Sequence, residues 1–224
     1  MPKEKINIVN IQKSYGDKVV FDNLSMSFSL HEISGIMAPS GAGKTTLLRI
    51  ITGLEKPDSG EISIVNEKGE CAPLGSNKIA LVFQEDRLIE HLDGVENVLI
   101  IAGVRGQNEG ANQDANYKPG FSKEEIIEAF DRLAIPKSEA IGKPVSEYSG
   151  GMKRRVALLR ALFSGKEIIL MDEPFKGLDE ETKKSTIDFI KDFSAKEHPT
   201  LIVVTHDIEE LYLLGSGNEN IHNI

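Results

Sequence analysis

Nine consecutive residues near the N-terminal end carry groups of the kind that bind phosphate. They read Ala38-Pro39-Ser40-Gly41-Ala42-Gly43-Lys44-Thr45-Thr46. Glycines let backbone N–H groups approach an anion closely, and a helix that begins at Lys44 adds unpaired N–H groups and the positive end of its dipole. Lys44 is expected to reach the β- and γ-phosphates of a nucleotide, and the Thr45 hydroxyl to bind magnesium. Ala38 stands where the motif usually has glycine. The alternative is an incidental glycine-rich turn with a surface lysine.

Two carboxylates follow a continuous apolar run. Residues Ile168 to Met171 are all apolar, and Asp172 and Glu173 come directly after them. Such a run is typical of a strand buried on both faces of a parallel sheet. Ending it in acids would place Asp172 near a magnesium ion bound at Thr45, and would leave Glu173 to orient or deprotonate an attacking water. The alternative is that the two acids only solvate a strand end.

Two other predicted strands end in polar side chains. One compact apolar run, 79–83, is followed by Gln84, and another, 201–204, is followed by Thr205 and His206. Ligand groups commonly project from strand ends in α/β sheets. Taken alone, a histidine at such a place is more often structural than catalytic.

Two further features are open to two interpretations. Ser149-Gly150-Gly151 precedes a helix-like run, which suits phosphate oxygens but equally suits a simple helix N-cap. Tyr15 lies in the predicted turn Ser14-Tyr15-Gly16-Asp17, where it is either a surface residue or a flat platform for a ligand ring.

The remaining pattern predicts the elements that position these residues. Near-alternating apolar residues in three runs between 6 and 30 indicate antiparallel strands, 33–37 indicates a short buried strand, and 47–51 indicates a helix that ends near Gly53. Ser122 and Glu125 have capping-box spacing ahead of an amphipathic helix. Residues 103–120 predict an exposed, mobile connector, and the polar tail after Leu214 is expected to fray.

Composition and charge exclude several classes of protein. The 224 residues, 40% of them apolar, are enough for one domain with a sizeable core. The 26 basic and 35 acidic residues give a net charge of -9, which argues against nucleic-acid binding and a polybasic membrane anchor. No apolar signal core or membrane-length apolar run is present, and Cys71 is the single cysteine, so a soluble cytoplasmic chain is predicted.

In this order, the motifs resemble the nucleotide-binding domain of ATP-binding cassette (ABC) ATPases over nearly the whole chain. The resemblance implies an α/β fold with a P-loop NTPase (RecA-like) core, an antiparallel β subdomain and an inserted helical subdomain. One domain is expected over 1–224, with the core and β subdomain at about 1–84 and 161–224, and the helical subdomain at about 85–160.

The family implies a role for each matching residue. Tyr15 would stack on adenine. The triphosphate would be bound by Pro39, Ser40, Gly41, Ala42, Gly43, Lys44, Thr45 and Thr46. Magnesium would be held by Thr45 and Asp172 and sensed by Gln84. Glu173 would be the catalytic base, and His206 would hold the γ-phosphate and water. Ser149, Gly150 and Gly151 would bind the γ-phosphate held by the other subunit, and Asp179 would cross the dimer contact.

The resemblance also implies partners and a location. ATP would be hydrolysed by a head-to-tail dimer, expected to be a homodimer, that lies on the inner face of the cell membrane against a separate permease. A solute-binding protein is a further expected partner. Residues 83–88, 95–98 and 151–157 look similar to importers of the nitrate, sulfonate and taurine group. The signature segment, Tyr148-Ser149-Gly150-Gly151-Met152, departs from the usual Leu-Ser-Gly-Gly-Gln.

Two other functions fit the same motifs. One is an ABC ATPase that acts on a membrane complex without moving a solute, as in cell division or lipoprotein release. The other is a regulatory nucleotide-binding subunit with weak turnover. DNA-repair relatives are disfavoured because a long heptad segment is missing, and a GTPase because no Asn-Lys-x-Asp segment occurs.

Overall fold

A computed structural model describes residues 4–39, 41–102 and 120–224. The strands of these residues are β1 Lys5–Tyr15, β2 Lys18–Ser29, β3 Ile33–Met37, β4 Ser59–Val65, β5 Cys71–Pro73, β6 Ile79–Val82, β7 Ile168–Asp172, β8 Thr200–Thr205 and β9 Ile221–Asn223. The helices are α1 Lys44–Ile51, α2 Gly94–Leu99, α3 Lys123–Arg132, α4 Lys137–Ala140, α5 Gly150–Leu162, α6 Glu180–Glu197 and α7 Ile208–Leu214. Ser40 lies outside the described residues, as does all of the predicted connector 103–120 except Gly120.

The chain forms two compact units. Unit 1 comprises Met1–Leu81, Glu167–Glu173 and Lys196–Ile224, and unit 2 comprises Val82–Lys166 and Pro174–Ala195. Every helix in the described part of the chain is too short or too polar to cross a membrane.

Two sheets form the framework of unit 1. The antiparallel sheet has the order β2-β1-β4-β5, and the second sheet has the order β6-β7-β8-β3-β9. In the second sheet β3 pairs in parallel with β8 and β9, and β7 pairs in parallel with β8. All residues of β7 and β8 are buried, as their continuous apolar sequence predicts. The predicted α/β fold with an additional antiparallel sheet is confirmed.

One core joins both sheets to α1. Its buried members come from β1, β2, β3, α1, β7 and β8, and include Ile8, Phe28, Leu47, Leu170 and Ile202. Because residues of α1 belong to this core, it holds the helix that begins at Lys44 together with β3, β7 and β8.

Three predictions about unit 1 need correction. Two of the three apolar runs between 6 and 30 form one strand, β2, with Asn23 in a left-handed conformation at φ 64°. Tyr15 is the last residue of β1, paired with Lys18, so the turn is shorter than predicted. The tail does not fray: β9 pairs with β3, and His222 packs edge-to-face on Phe28 with ring centroids 4.8 Å apart.

Two helices of unit 2, α2 and α3, begin at capping boxes. Ser122 and Glu125 form the predicted reciprocal capping box at α3, and Asp93 and Glu96 form another at α2. Phe163 on the C-terminal side of α5 lies in an aromatic cluster with Phe121, 4.6 Å away, and Phe193, 5.5 Å away between ring centroids. These contacts fix α5, which follows Ser149, within unit 2.

Candidate functional site

Residues 38–46, which we call the phosphate stretch, connect β3 to α1 in unit 1, as their sequence predicts. Gly41 and Gly43 have φ values of 83° and 93°, a region that side-chain-bearing residues rarely adopt. A Cβ on Gly43 would lie 2.6 Å from Val20 Cγ1 and 2.8 Å from Phe21 Cζ, so β2 packs directly on the stretch. Ala38 is buried, and its carbonyl accepts a hydrogen bond from Lys44 Nζ at 3.2 Å.

Lys44 and Glu173 form a nearly buried ion pair. Lys44 Nζ lies 2.9 Å from Glu173 Oε1, and their side chains are 9% and 12% exposed. A buried ammonium is costly unless it is paired, so the two groups stabilise each other's charge. The lysine predicted to bind phosphate and the predicted catalytic base therefore lie in direct contact.

Thr45 and Asp172 form a second contact between α1 and β7. Thr45 Oγ1 donates a hydrogen bond to Asp172 Oδ2 at 2.9 Å, and Asp172 is 3% exposed. A hydroxyl and a carboxylate are hard oxygen donors of the kind that magnesium prefers. Within the described ranges, no group of three or more His, Cys, Asp or Glu side chains could hold a metal ion. This pair fits an ion that takes its remaining ligands from phosphate and water.

His206 follows β8, and its ring approaches the same glutamate. Nδ1 lies 3.6 Å from Glu173 Oε1, and the histidine side chain is 69% exposed. Glu173 itself has a left-handed backbone with φ 46°, and its N–H donates to the Val204 carbonyl at 2.8 Å. Unit 1 thus brings Lys44, Thr45, Asp172, Glu173 and His206 to one edge of its parallel sheet.

Tyr15 is 48% exposed at the end of β1, and its hydroxyl donates to the carboxylate of Glu55. Lys13 Nζ lies 3.1 Å from Glu55 Oε1 and 5.1 Å from the centroid of the Tyr15 ring. The sequence did not single out Lys13 or Glu55. Glu55 is 40 positions from Tyr15, so no local spacing signals the contact.

The signature segment lies in unit 2 at the start of α5. Ser149 Oγ accepts a hydrogen bond from Met152 N at 3.2 Å, so the hydroxyl caps the helix. A Cβ on Gly150 would meet open space, and one on Gly151 would lie 3.4 Å from Leu178 Cδ2. The helix start therefore has the bare N–H surface that an anion needs, while its serine also satisfies the simpler N-cap interpretation.

Tyr148, which replaces the usual leucine, is buried. Its hydroxyl donates to the Glu139 carbonyl, and burial raises the pKa of the phenol. The extra hydroxyl thus has a partner, so tyrosine fits this position without leaving a buried polar group unpaired.

Gln84 and Asp179 also belong to unit 2. Arg154 of α5, 4% exposed, donates to the Phe83 carbonyl at 2.6 Å and to the Pro174 carbonyl at 3.0 Å. Its Nη1 also lies 3.4 Å from the Gln84 carbonyl. The sequence did not predict this fixing of the Gln84 backbone, because the partners lie 70 and 20 positions from Arg154.

Asp179 caps the start of α6. Its carboxylate accepts from Thr182 N at 2.9 Å and from Thr182 Oγ1 at 2.7 Å. The backbone hydrogen bond from Thr182 holds the pKa of Asp179 below its ordinary value. Burial lowers the pKa of Arg155 on α5, and the charge of Asp179 partly opposes that effect.

Comparison with known proteins gives concordant matches. The family model described as "ABC transporter" matches residues 21–176. "Aliphatic sulfonates import ATP-binding protein SsuB 1" of Nocardia farcinica is 33% identical over 208 residues, which cover 92% of this chain and 73% of that protein. "Sulfate/thiosulfate import ATP-binding protein CysA 1" of Chromobacterium violaceum is 31% identical, with 92% of this chain and 55% of that protein covered. The chain thus spans only about half the length of the second relative.

A solved structure matches as well. "Dimeric Structure of MJ0796, a Bacterial ABC Transporter Cassette" superposes with a TM-score of 0.72 at 29% identity, over 93% of this chain and 90% of that chain. The same cassette in a post-hydrolysis state bound to ADP and Pi also has a TM-score of 0.72, at 28% identity.

Proposed function

This chain belongs to the ABC transporter family, and from that premise we propose that it is the ATP-binding and ATP-hydrolysing subunit of a membrane transporter, a solute importer of the nitrate, sulfonate and taurine kind. The observation that supports the chemistry is the convergence of Lys44, Thr45, Asp172, Glu173 and His206 in unit 1. In this proposal residues 1–84 and 161–224 form the α/β core with its antiparallel β subdomain, and residues 85–160 form the helical subdomain. Unit 2 differs from that helical subdomain because it also contains Pro174–Ala195.

The phosphate stretch binds the triphosphate of ATP. Backbone N–H groups of residues 40–46, which include the start of α1, bind phosphate oxygens beside Pro39, and Lys44 donates to the β- and γ-phosphates. For that, the Lys44 ammonium must leave Glu173 for the phosphates. The Lys44 ammonium then exchanges the Glu173 carboxylate for phosphate oxygens, so this nearly buried positive charge stays paired throughout.

The Thr45 hydroxyl and the Asp172 carboxylate are the donors for magnesium, with Gln84 assigned to sense it. Magnesium supplies charge neutralisation for the phosphates when it is bound. Thr45 Oγ1 lies 2.9 Å from Asp172 Oδ2, so the two donor oxygens are close enough to bind one ion.

Glu173 is the general base for hydrolysis. Once Lys44 binds phosphate, the Glu173 carboxylate is available to take a proton from the attacking water. His206, whose ring lies beside Glu173, donates to the γ-phosphate and holds the water in line.

A second copy completes each site. Two chains meet head to tail, so that Ser149, Gly150 and Gly151 of one copy face the γ-phosphate bound by the other, and Asp179 crosses the contact. ATP favours the closed pair because it binds that pair better than the open one, and hydrolysis releases it. The dimer lies on the cytoplasmic face of the membrane, where a separate transmembrane permease converts this closure into transport, and a solute-binding protein delivers the substrate.

The experiment that tests the catalytic part is magnesium-dependent ATP hydrolysis by the purified chain and its Lys44→Ala variant. Hydrolysis by the parent that is lost in the variant supports the proposal. A parent without hydrolysis, alone and with its copurified membrane partner, favours the regulatory-subunit alternative.

The transport part is tested by purification of the tagged chain from detergent-solubilised native membranes, followed by mass spectrometry. Recovery of a multi-span permease together with a solute-binding protein supports an importer. Recovery of a division or lipoprotein-release complex would leave the ATPase chemistry intact and overturn the transport assignment.

A further inference from the structure

The Tyr15 ring is held at both ends. Its backbone pairs with Lys18 at the end of the β1–β2 hairpin, and its hydroxyl donates to Glu55. A tyrosine anchored only through its backbone would sample several rotamers, whereas this hydrogen bond selects one orientation. The ring is nevertheless 48% exposed, so it is fixed without being buried.

Lys13 covers one side of that ring. Its ammonium lies 5.1 Å from the ring centroid, within cation–π range, and 2.9 Å from the Lys56 carbonyl. The side chains of Lys13 and Glu55 are only 12% and 16% exposed. The exposed part of the Tyr15 ring is therefore the part that Lys13 leaves uncovered.

Hydrogen bonding keeps the side chains of Glu55 and Lys13 charged. The hydrogen bond from Tyr15 holds the pKa of Glu55 below its ordinary value, and the hydrogen bond to Glu55 raises the pKa of Lys13. Neither group titrates near neutral pH, so the arrangement is the same throughout the physiological range.

Glu55 is also joined to α1, the helix that carries Lys44 and Thr45. Glu55 N donates to the Arg49 carbonyl at 3.1 Å, and Arg49 Nε lies 3.6 Å from Glu55 Oε2. Arg49 belongs to α1, which begins at Lys44. On the other side, β2 packs on Gly43. Two connections thus fix the position of the Tyr15 hairpin relative to the phosphate stretch.

We propose that Glu55 and Lys13 are positioning residues that hold Tyr15 as a one-sided stacking platform, and that they thereby set the preference of this site for a triphosphate carrying a purine base over bare polyphosphate. The inference rests on the proposed function. Stacking gains more when the platform is ordered beforehand, because less side-chain freedom is lost on binding. An ammonium on one side also draws ring electron density toward itself, leaving the opposite side suited to an electron-rich base.

The test compares two ligands that share their phosphates but not their base. Dissociation constants for Mg-ATP and magnesium tripolyphosphate are measured by calorimetry for the parent, Glu55→Ala, Glu55→Gln, Lys13→Met and Tyr15→Ala. Glu167→Gln, which removes the 3.0 Å ion pair with Lys78, is the matched control for loss of a surface carboxylate in unit 1.

Glu55→Ala and Lys13→Met are expected to weaken Mg-ATP binding about three- to tenfold while leaving tripolyphosphate binding unchanged. Glu55→Gln should recover part of the loss, because its amide oxygen still accepts from the Tyr15 hydroxyl. Tyr15→Ala should lose at least as much as Glu55→Ala, and Glu167→Gln should lose nothing.

Two results for Glu55→Ala would overturn the inference alone: unchanged binding of both ligands, or equal weakening of both, which would make Glu55 a structural support of α1. A parent that binds neither ligand would instead overturn the proposed function. If Tyr15→Ala left the ratio of the Mg-ATP and tripolyphosphate dissociation constants unchanged, Tyr15 would not stack on the base, and Glu55 and Lys13 would have no positioning role.

Discussion

At the scale of single residues, Glu173 combines an unfavourable backbone conformation with close contacts to Lys44 and His206. Its φ of 46° costs a side-chain-bearing residue about 1 kcal/mol. The conformation directs its carboxylate to Lys44 Nζ and toward His206. A residue kept in a disfavoured conformation beside two polar partners is better explained by chemistry than by folding.

Glu173→Gln is therefore expected to retain ATP binding and to lower hydrolysis at least about 100-fold, because an amide cannot accept the proton of the attacking water. Glutamine keeps the volume and the backbone conformation, so stability should change little. ATP affinity, phosphate release and size-exclusion chromatography are measured on the same preparation, and an ATP-bound dimer should accumulate. Hydrolysis at the parental rate would remove Glu173 from the catalytic role.

The sequence predicted those site residues that belong to short, ordered motifs. Lys44 and Thr45 are one phosphate stretch, and Asp172 and Glu173 end one buried strand, so each pair could be identified without knowing its neighbours. Glu55 could not be identified, because its role depends on an approach between positions far apart in the chain. Tertiary contacts of this kind leave no periodic signal.

At the scale of secondary-structure elements, the start of α5 has two possible uses. Ser149 caps the helix through Met152 N, and the same serine is the predicted ligand of a phosphate from the other subunit. A cap needs any short side-chain acceptor, whereas a phosphate needs a donor of the right size.

Ser149→Ala should cost about 1 kcal/mol of unfolding free energy and should also abolish hydrolysis. Ser149→Asn should keep the stability, since asparagine is an equally good cap, and still lose hydrolysis. Urea unfolding and phosphate release measure the two effects. The matched control is Ser122→Ala, which removes the cap of α3 and should cost similar stability without loss of hydrolysis; a fully active Ser149→Asn would leave the serine as a simple cap.

Strand β9 is one of the elements that the sequence did not predict. Its residues are few and follow a polar tail, so neither length nor alternation marks it, and only the open edge of β3 gives it a partner. An isolated short strand is not stable, so whether this segment forms a strand depends on its pairing with a sheet that has already formed.

His222 of β9 makes a pH-dependent contribution to stability. Burial lowers its pKa in the folded protein, and a hydrogen bond with the Ser27 backbone partly opposes that effect. Below the ordinary histidine pKa of about 6.5, the unfolded chain binds the proton more readily, so the folded state loses stability as the pH falls. The contribution is complete above that pKa.

Unfolding free energies of the parent and His222→Gln should therefore diverge in their pH dependence between about pH 7.5 and pH 5.5, with the steeper loss in the parent. Urea titrations at each pH give both slopes. All other titrating groups are common to the two proteins, so equal slopes would contradict the assignment to His222.

At the scale of the whole molecule, the proposed head-to-tail dimer divides each site between two chains. The phosphate stretch, Asp172 and Glu173 would come from one copy, and Ser149 from the other. Two inactive variants, each substituted in a different half of the site, should then recover hydrolysis when their chains are mixed.

A mixture of Lys44→Ala and Ser149→Asn chains should hydrolyse ATP although each alone is inactive, because the mixed dimer keeps one site with both halves intact. Phosphate release after mixing is the measurement. Lys44→Ala mixed with Glu173→Gln is the control and should stay inactive, since both lesions fall in the same half. Absence of recovery in the first mixture would contradict the head-to-tail arrangement.

The fixed, half-exposed Tyr15 ring has a spectroscopic consequence. The chain contains no tryptophan and four tyrosines, so its near-ultraviolet emission comes from phenol rings alone. Of these, Tyr148 is buried, whereas Tyr15 is the one proposed to meet a purine. Stacking of a base on Tyr15 should change the intrinsic fluorescence of the unlabelled protein, and tripolyphosphate should not. Nucleotide occupancy can therefore be followed during turnover without a dye, and Tyr15→Phe should abolish the signal.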